Sequence, residues 1–229
     1  MTIQLYDLAG QHDDLRFSPF CWRVKLALAH KGLAFETIPW RFTETEAIAF
    51  SGQGLVPVLR DGDTVVHDSW DIARYLDRAY PDRPALFEGP EAEALARFLV
   101  GWSGTQIQPL LMRMIVLDLF GCIHEGDRDY FRRSREARLG KPLEQAVMPA
   151  EEGVAELGRR LEPLRFTLRE RPFIAGDRPA FADYIVFGSF MWARCVSPLA
   201  LLAADDPVHA WRERMLDLHG GLARAARTV

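Results

Sequence analysis

The sequence predicts an α/β domain followed by an all-helical one. Three observations carry this. Within residues 1–80, short apolar runs of strand type alternate with runs of helical period. Two proline-bearing pieces, Pro81-Asp82-Arg83-Pro84 and Phe87-Glu88-Gly89-Pro90, then interrupt the pattern. Beyond them strand signals nearly vanish, while helical periodicity continues to the end of the chain. The expected division is residues 1–80, a linker at 81–90, and a helical domain at 91–229.

The elements follow in order. Ile3, Leu5 and Leu8 form a nearly alternating run and read as a strand. Gly10 to Arg16 has turn composition. The run from Ser18 to Gly32 is a helix with both ends marked. Serine is a preferred N-cap, and proline fits the first helical position because its missing N–H is not needed there. Phe20, Val24, Ala27, Leu28 and Lys31 keep helical spacing, and Gly32 stops it. Phe35 to Trp40 is a second strand, and Thr43 to Phe50 reads as a short helix or a loop. Val56 to Leu59 and Thr64 to Val66 are strands, joined by a turn through Asp61-Gly62. Asp68-Ser69 opens a helix through Trp70, Ile72, Ala73, Tyr75, Leu76 and Tyr80. In the second half, helices are expected over 91–119 with a kink near Pro109, and over 127–139, 150–170, 181–196 and 208–218. Pro163 should interrupt the 150–170 helix.

Composition narrows the function. Of 229 residues, 48% are hydrophobic and 26% charged, so a sizeable core is available. The net charge of −4 argues against a nucleic-acid binder, which needs a basic face. Arg132, Arg133, Arg135 and Arg138 are interleaved with Asp127, Asp129 and Glu136 and read as a solvated helix face. The start MTIQLYDLAG lacks the features of a signal peptide, and no apolar run is long enough to span a bilayer. Cys21, Cys122 and Cys195 are odd in number and widely spaced, and there is no asparagine to glycosylate. The expected compartment is the cytoplasm. Six scattered histidines form no metal motif, so no metal is expected.

Three short motifs carry a resemblance. Ser18-Pro19-Phe20, Val56-Pro57 and Asp68-Ser69 are spaced as glutathione transferases space them. The chain resembles that family over nearly its whole length. The resemblance implies a thioredoxin-like first domain, a helical-bundle second domain, glutathione as co-substrate and a homodimer. Within the family, SPFCWRVKLALAHKG, DSWDIARYLDRAYPDRPALFEGP and SREARLGKPLEQA look most like the serine-type branch: tau-class enzymes, and more closely bacterial lignin β-etherases and their fungal relatives.

By that resemblance Ser18 hydrogen-bonds the glutathione sulfur. A thiol with a pKa of about 8.5 is only slightly ionised at neutral pH, and the thiolate is the nucleophile. A helix N-terminus contributes roughly 0.3–1 kcal/mol, and a hydrogen bond to a charged group roughly 1.5–3. Lowering a pKa by one unit takes about 1.4 kcal/mol, so one to two units lie within reach of Ser18 and its helix. The plain alternative is an ordinary N-cap serine. Val56-Pro57 reads as a cis turn whose Val56 backbone pairs with the cysteinyl backbone of glutathione, against a trans proline at a strand start. Asp68 suits the γ-glutamyl ammonium, and Ser69 with the helix start suits its carboxylate. Most family members carry Glu where Asp68 stands. Arg41, or in competition Gln53, would hold the glycine carboxylate.

Cys21 lies in the first helical turn and reads as a packed thiol, while Tyr6 is a second possible thiol activator with a core position favoured. Asp183 matches half of a capping box whose hydroxyl is replaced by Ala180. Trp102, Gln106, Met112, Tyr184 and Trp192 are candidate walls of an electrophile pocket, and their aromatic character favours an aromatic electrophile. Three functions remain in view: attack by glutathione on a carbon electrophile, either as conjugation or as β-aryl ether cleavage; a thiol-disulfide or dehydroascorbate-type reductase that uses Cys21; and a non-catalytic ligand-binding protein.

Overall fold

The computed structural model describes residues 2–229. Its first domain is thioredoxin-like, with a four-stranded mixed sheet. Strand β1 (Ile3–Leu8) is followed by α1 (Pro19–His30), β2 (Phe35–Trp40), β3 (Val58–Asp61), β4 (Thr64–His67) and α2 (Ser69–Ala79). The sheet order is β2-β1-β3-β4. Strands β1 and β2 run parallel, from Ile3 opposite Phe35 to Leu8 opposite Trp40, so α1 is the crossover that a parallel pair requires. Strands β3 and β4 are an antiparallel hairpin closed between Asp61 and Thr64, as the Asp-Gly signal predicts. Thr45–Ser51 is a 3-10 helix, which settles the ambiguous segment before β3.

Helix α1 is buried almost all round: every residue from Cys21 to Leu28 is inside. Apolar side chains on all faces require cover on both sides. The sheet and α2 cover one side, and α9 (Phe181–Val196) of the second domain covers the other. Gly188 on α9 makes the closest approach possible. A Cβ there would collide with the Pro19 carbonyl oxygen and lie 3.3 Å from the Pro19 carbonyl carbon and Arg23 Cγ.

The second domain is helical throughout: α3 (Pro90–Trp102), α4 (Gln108–Cys122), α5 (Arg128–Leu139), α6 (Leu143–Ala146), α7 (Ala150–Arg160), α8 (Glu162–Leu168), α9 and α10 (Pro207–Gly221). The kink expected near Pro109 is a π-helical turn at Ser103–Ile107, just before the proline. Pro109 has no N–H to donate, and the Gln108 N–H reaches back five residues to the Ser103 carbonyl. Pro163 separates α7 from α8 as expected. Helix α10 leaves helical geometry at Leu218, and His219 turns the chain at φ 54°.

Asp183 is completely buried at the start of α9. Its carboxylate accepts the N–H groups of Ile174 (2.8 Å), Ala175 (3.3 Å) and Ala180 (3.1 Å), and Trp211 Nε1–H (2.9 Å). Half a capping box thus becomes a structural hub that joins α9, α10 and the preceding loop.

Candidate functional site

Strand register brings the three motifs to one end of the sheet. Tyr6 on β1 pairs with Val58, and Val58 pairs with His67. The residues just outside that row are the end of β1, Pro57 before β3, and Asp68 after β4. The loop that leaves β1 ends at Ser18, so all three motifs share this edge.

Ser18 caps α1. Its Oγ accepts the Cys21 N–H at 3.2 Å, and the residue is 3% exposed. The cap occupies one acceptor lone pair, so the hydroxyl hydrogen remains a donor. Capping and thiol activation are therefore compatible at this side chain. The approach to Ser18 is tied down from beneath. Lys25 Nζ lies 2.9 Å from Asp7 Oδ2, and both side chains are buried. Lys25 also sits 3.5 Å from the centre of the Trp22 ring, and Trp22 Nε1–H donates to the Arg16 carbonyl at 2.8 Å. The Asp7–Lys25 pair thus joins the end of β1 to α1 below the loop.

Cys21 is completely buried. Burial pushes its thiol well up, the Asp7 charge pushes it further, and the Ser18 hydroxyl pulls it down only in part. Tyr6 is half-buried with its ring against Phe50 at 5.3 Å.

The Val56-Pro57 peptide bond is cis, as expected. Gln53 shapes the segment before it: its side chain accepts the Leu55 N–H at 2.7 Å and donates to the Leu55 carbonyl. Neither backbone polar group of Val56 has a partner among the described residues.

Asp68 is exposed at φ 67°, a region that non-glycine residues rarely enter and that costs roughly 1–3 kcal/mol. One carboxylate oxygen accepts the Trp70 N–H at 2.8 Å and so caps α2. Ser69 is the first residue of α2 and is 3% exposed. Behind them lies Arg23, which the sequence reading missed. It is 2% exposed, its Nε has no partner among the described residues, and its guanidinium lies 4.8 Å over the Phe20 ring. Burial lowers its pKa to about 10, and the charge of Asp68 resists that fall. The available signal was a lone arginine in the apolar run CWRVKLALA.

Arg41 is not a free cation. Its guanidinium contacts Asp13, lies 3.6 Å from Glu44, and is only 17% exposed. Two of the expected pocket walls are also spoken for. Tyr184 is 0% exposed between two histidines, and Trp192 is 6% exposed in the core. Trp102 and Met112 are half-buried and Gln106 is exposed. A cavity of about 250 Å³ lies away from Ser18, between α2 and α3, lined by Arg74, Asp77, Arg78, Phe87, Gly89 and Glu93. No cluster of three or more metal-ligating side chains, and no helix long and apolar enough to cross a membrane, occurs among the described residues.

The comparisons with known proteins agree with this arrangement. Residues 17–79 match the family model described as glutathione S-transferase, N-terminal domain, and residues 94–218 match that of the C-terminal domain. The chain is 29% identical over 202 residues to glutathione S-transferase 4 of Zea mays, covering 85% of this chain and 82% of that protein. It superposes on glutathione transferase GSTFuA3 from Phanerochaete chrysosporium with a TM-score of 0.78 at 26% identity, covering 96% of this chain and 92% of that one. The glutathione S-transferase CsGST63524 of Ceriporiopsis subvermispora, solved in complex with glutathione, shares the fold with a TM-score of 0.79 at 24% identity and 96% coverage of both chains. With more than half of its length matched by the C-terminal model alone, the chain belongs to the glutathione S-transferase family.

Proposed function

We propose that this protein is a serine-type glutathione transferase whose Ser18 stabilises the glutathione thiolate for attack on a small aromatic electrophile. The observation that carries the reading is Ser18 itself: a nearly buried serine at a helix N-terminus whose hydroxyl caps the helix and still has a hydrogen to give. The other parts of glutathione find matching chemistry along the same sheet edge. The unpartnered Val56 backbone suits the cysteinyl N–H and C=O as an added strand. The free N–H groups and hydroxyl at the start of α2 suit the γ-glutamyl carboxylate, and the second oxygen of Asp68 suits the ammonium. Arg41 takes the glycine carboxylate by exchanging one of its two acidic neighbours for the ligand.

The chemical step is a displacement. The thiolate forms a carbon–sulfur bond while a halide or an aryloxide leaves, and an aryloxide takes up a proton from water. Conjugation and β-aryl ether cleavage share this thiolate and differ in the leaving group. The motif pattern shared with tau-class enzymes and bacterial lignin β-etherases favours an aromatic ether or halide. Cys21 does not suit a reductase, because its thiol is buried and its pKa raised, whereas a redox nucleophile needs an exposed thiolate. Residues 1–80 form the glutathione half and 91–229 the electrophile half of each protomer in a homodimer, with Leu95 and Phe98, both largely exposed on α3, among the apolar side chains available for the interface.

The test is the thiolate absorbance of glutathione bound to wild type and to Ser18→Ala across pH. Wild type should ionise the bound thiol one to two units below its free value of about 8.5, and the variant should lose most of that shift. Equal ionisation by both proteins would remove Ser18 from the role.

A further inference from the structure

The connection between α4 and α5 in the helical domain touches two loops of the first domain. At its start, the Cys122 carbonyl accepts the Gln11 N–H at 2.8 Å. Gly10 makes this seat possible, since a Cβ there would lie 2.6 Å from the same oxygen. At its end stands Asp127, which is 1% exposed. Its carboxylate accepts the Phe42 N–H at 2.9 Å, the Thr43 N–H at 3.0 Å and the Thr43 hydroxyl at 2.7 Å. All three donors lie across the domain boundary, in the loop that follows β2.

That loop is gripped a second time through Phe42. Its ring lies 5.7 Å from Tyr130 and 6.1 Å from Phe131, and the Arg135 guanidinium sits 4.9 Å over it. Arg41, one residue earlier, reaches the other way. It contacts Asp13 in the loop that leads to Ser18, and its own N–H donates to Glu44 at 2.9 Å. A chain of contacts therefore runs from Asp127 through Phe42 and Thr43 to Arg41, and from Arg41 through Asp13 toward Ser18.

We propose that Asp127 is a positioning residue for glutathione, by which the helical domain sets the loop that carries Arg41. The inference rests on the glutathione reading above. Asp127 is too deeply buried to meet the ligand. It acts by holding the two N–H groups and the Thr43 hydroxyl in place before glutathione arrives. A loop that is already ordered loses less freedom on binding, and that saving appears as affinity. A carboxylate suits the task because it accepts several donors at once, and bonds to a charged acceptor are the strong ones.

The test uses the full-length protein with Asp127→Asn and Thr43→Val. Asparagine keeps the shape but turns an NH₂ toward N–H donors, while valine removes one donor and leaves the carboxylate intact. Glutathione affinity is read by calorimetry, and turnover with a dinitrophenyl halide. Asp127→Asn should weaken glutathione binding about tenfold and Thr43→Val about threefold. At saturating glutathione, kcat and the KM for the halide should stay within about twofold, because Ser18 and the electrophile wall are untouched. Unchanged glutathione affinity in either folded variant overturns the proposal. So does a common fall of kcat with loss of affinity for both substrates, which marks general structural damage. If wild type itself does not bind glutathione, the underlying reading falls and this inference with it. Wild-type binding beside unaltered variants removes only this inference.

Discussion

The Tyr184 hydroxyl lies 2.7 Å from Nδ1 of His30, across the boundary between the two domains. Nε2 of His30 faces the Ala85 carbonyl at 3.0 Å, which can only accept, so Nε2 carries the hydrogen and Nδ1 receives the Tyr184 O–H. His219 Nε2 then donates to the Tyr184 oxygen at 3.1 Å. In this chain His30 is neutral, because its Nδ1 accepts, while the donating Nε2 of His219 fits either charge state. Burial lowers the pKa of His30, the hydrogen bond to the Ala85 carbonyl resists the fall, and Lys31 adds to it against Asp77 and Glu88. Burial and then the neighbouring His30 push His219 down to about 4. Burial, reinforced by Asp183, raises the pKa of Tyr184, which stays a neutral donor.

A pH dependence of stability follows. In the unfolded chain both histidines titrate near about 6.5. Below that pH the unfolded state binds more protons than the folded one, so stability is full above the unfolded value and falls with pH toward about 4. Urea unfolding from pH 7.5 to 4.5 should show the decline. His219→Asn should flatten it, since asparagine does not titrate and tolerates the positive φ at this position. An equally steep decline in the variant would assign the loss to other groups.

Asp68 has a capping oxygen and a second one left for the ligand. Asp68→Asn keeps the cap and suits the positive φ, so the change in unfolding free energy should be limited to about 1 kcal/mol, from loss of the charge facing buried Arg23. What is lost is the charge opposite the γ-glutamyl ammonium. Glutathione affinity should fall about tenfold or more, the value of a charge-assisted bond. A large stability loss with unchanged affinity would make Asp68 a structural residue only.

Gly188 lets α9 close on the start of α1, and the atoms that an added methyl would meet first are backbone atoms of Pro19. Alanine would gain about 1 kcal/mol from helix propensity at such a position. The collision outweighs this, because the Pro19 backbone cannot turn aside as a flexible side chain would. Gly188→Ala should be destabilised by a net of about 1–3 kcal/mol in urea titration, and the ionisation of bound glutathione should weaken as α1 shifts. A stabilised variant would show that the two helices part without cost.

Much of this architecture was legible in the sequence, and the reasons are local. Ser18-Pro19 and Gly32 mark both ends of α1, and the Asp-Gly turn sets the β3–β4 hairpin, because caps and turns depend on neighbours in the chain. Pro109 announced a disturbance, but a plain kink and a π-helical turn look alike in sequence. What stayed hidden depends on contacts distant along the chain. Arg23 and Asp127 are charged residues in helical surroundings, where a solvated position is the ordinary expectation. Only tertiary structure buries one beside Asp68 and the other against Phe42 and Thr43. Tyr184 sat at wall spacing but is consumed by His30 and His219. Arg41 suits the glycine carboxylate by its charge alone, and its pairing with Asp13 and Glu44 follows from loop proximity that no spacing reveals.

The seating of loops 10–17 and 41–44 on the α4–α5 connection bears on how such proteins can be recombined. The two halves do not trade freely as independent cassettes. A chimera that takes its helical half from a relative inherits that relative's taste in electrophiles. If Asp127 positions the loop as proposed, a chimera with no acid in its place, or with a backbone that no longer meets Gly10 as Cys122 does, should hold the tripeptide less tightly.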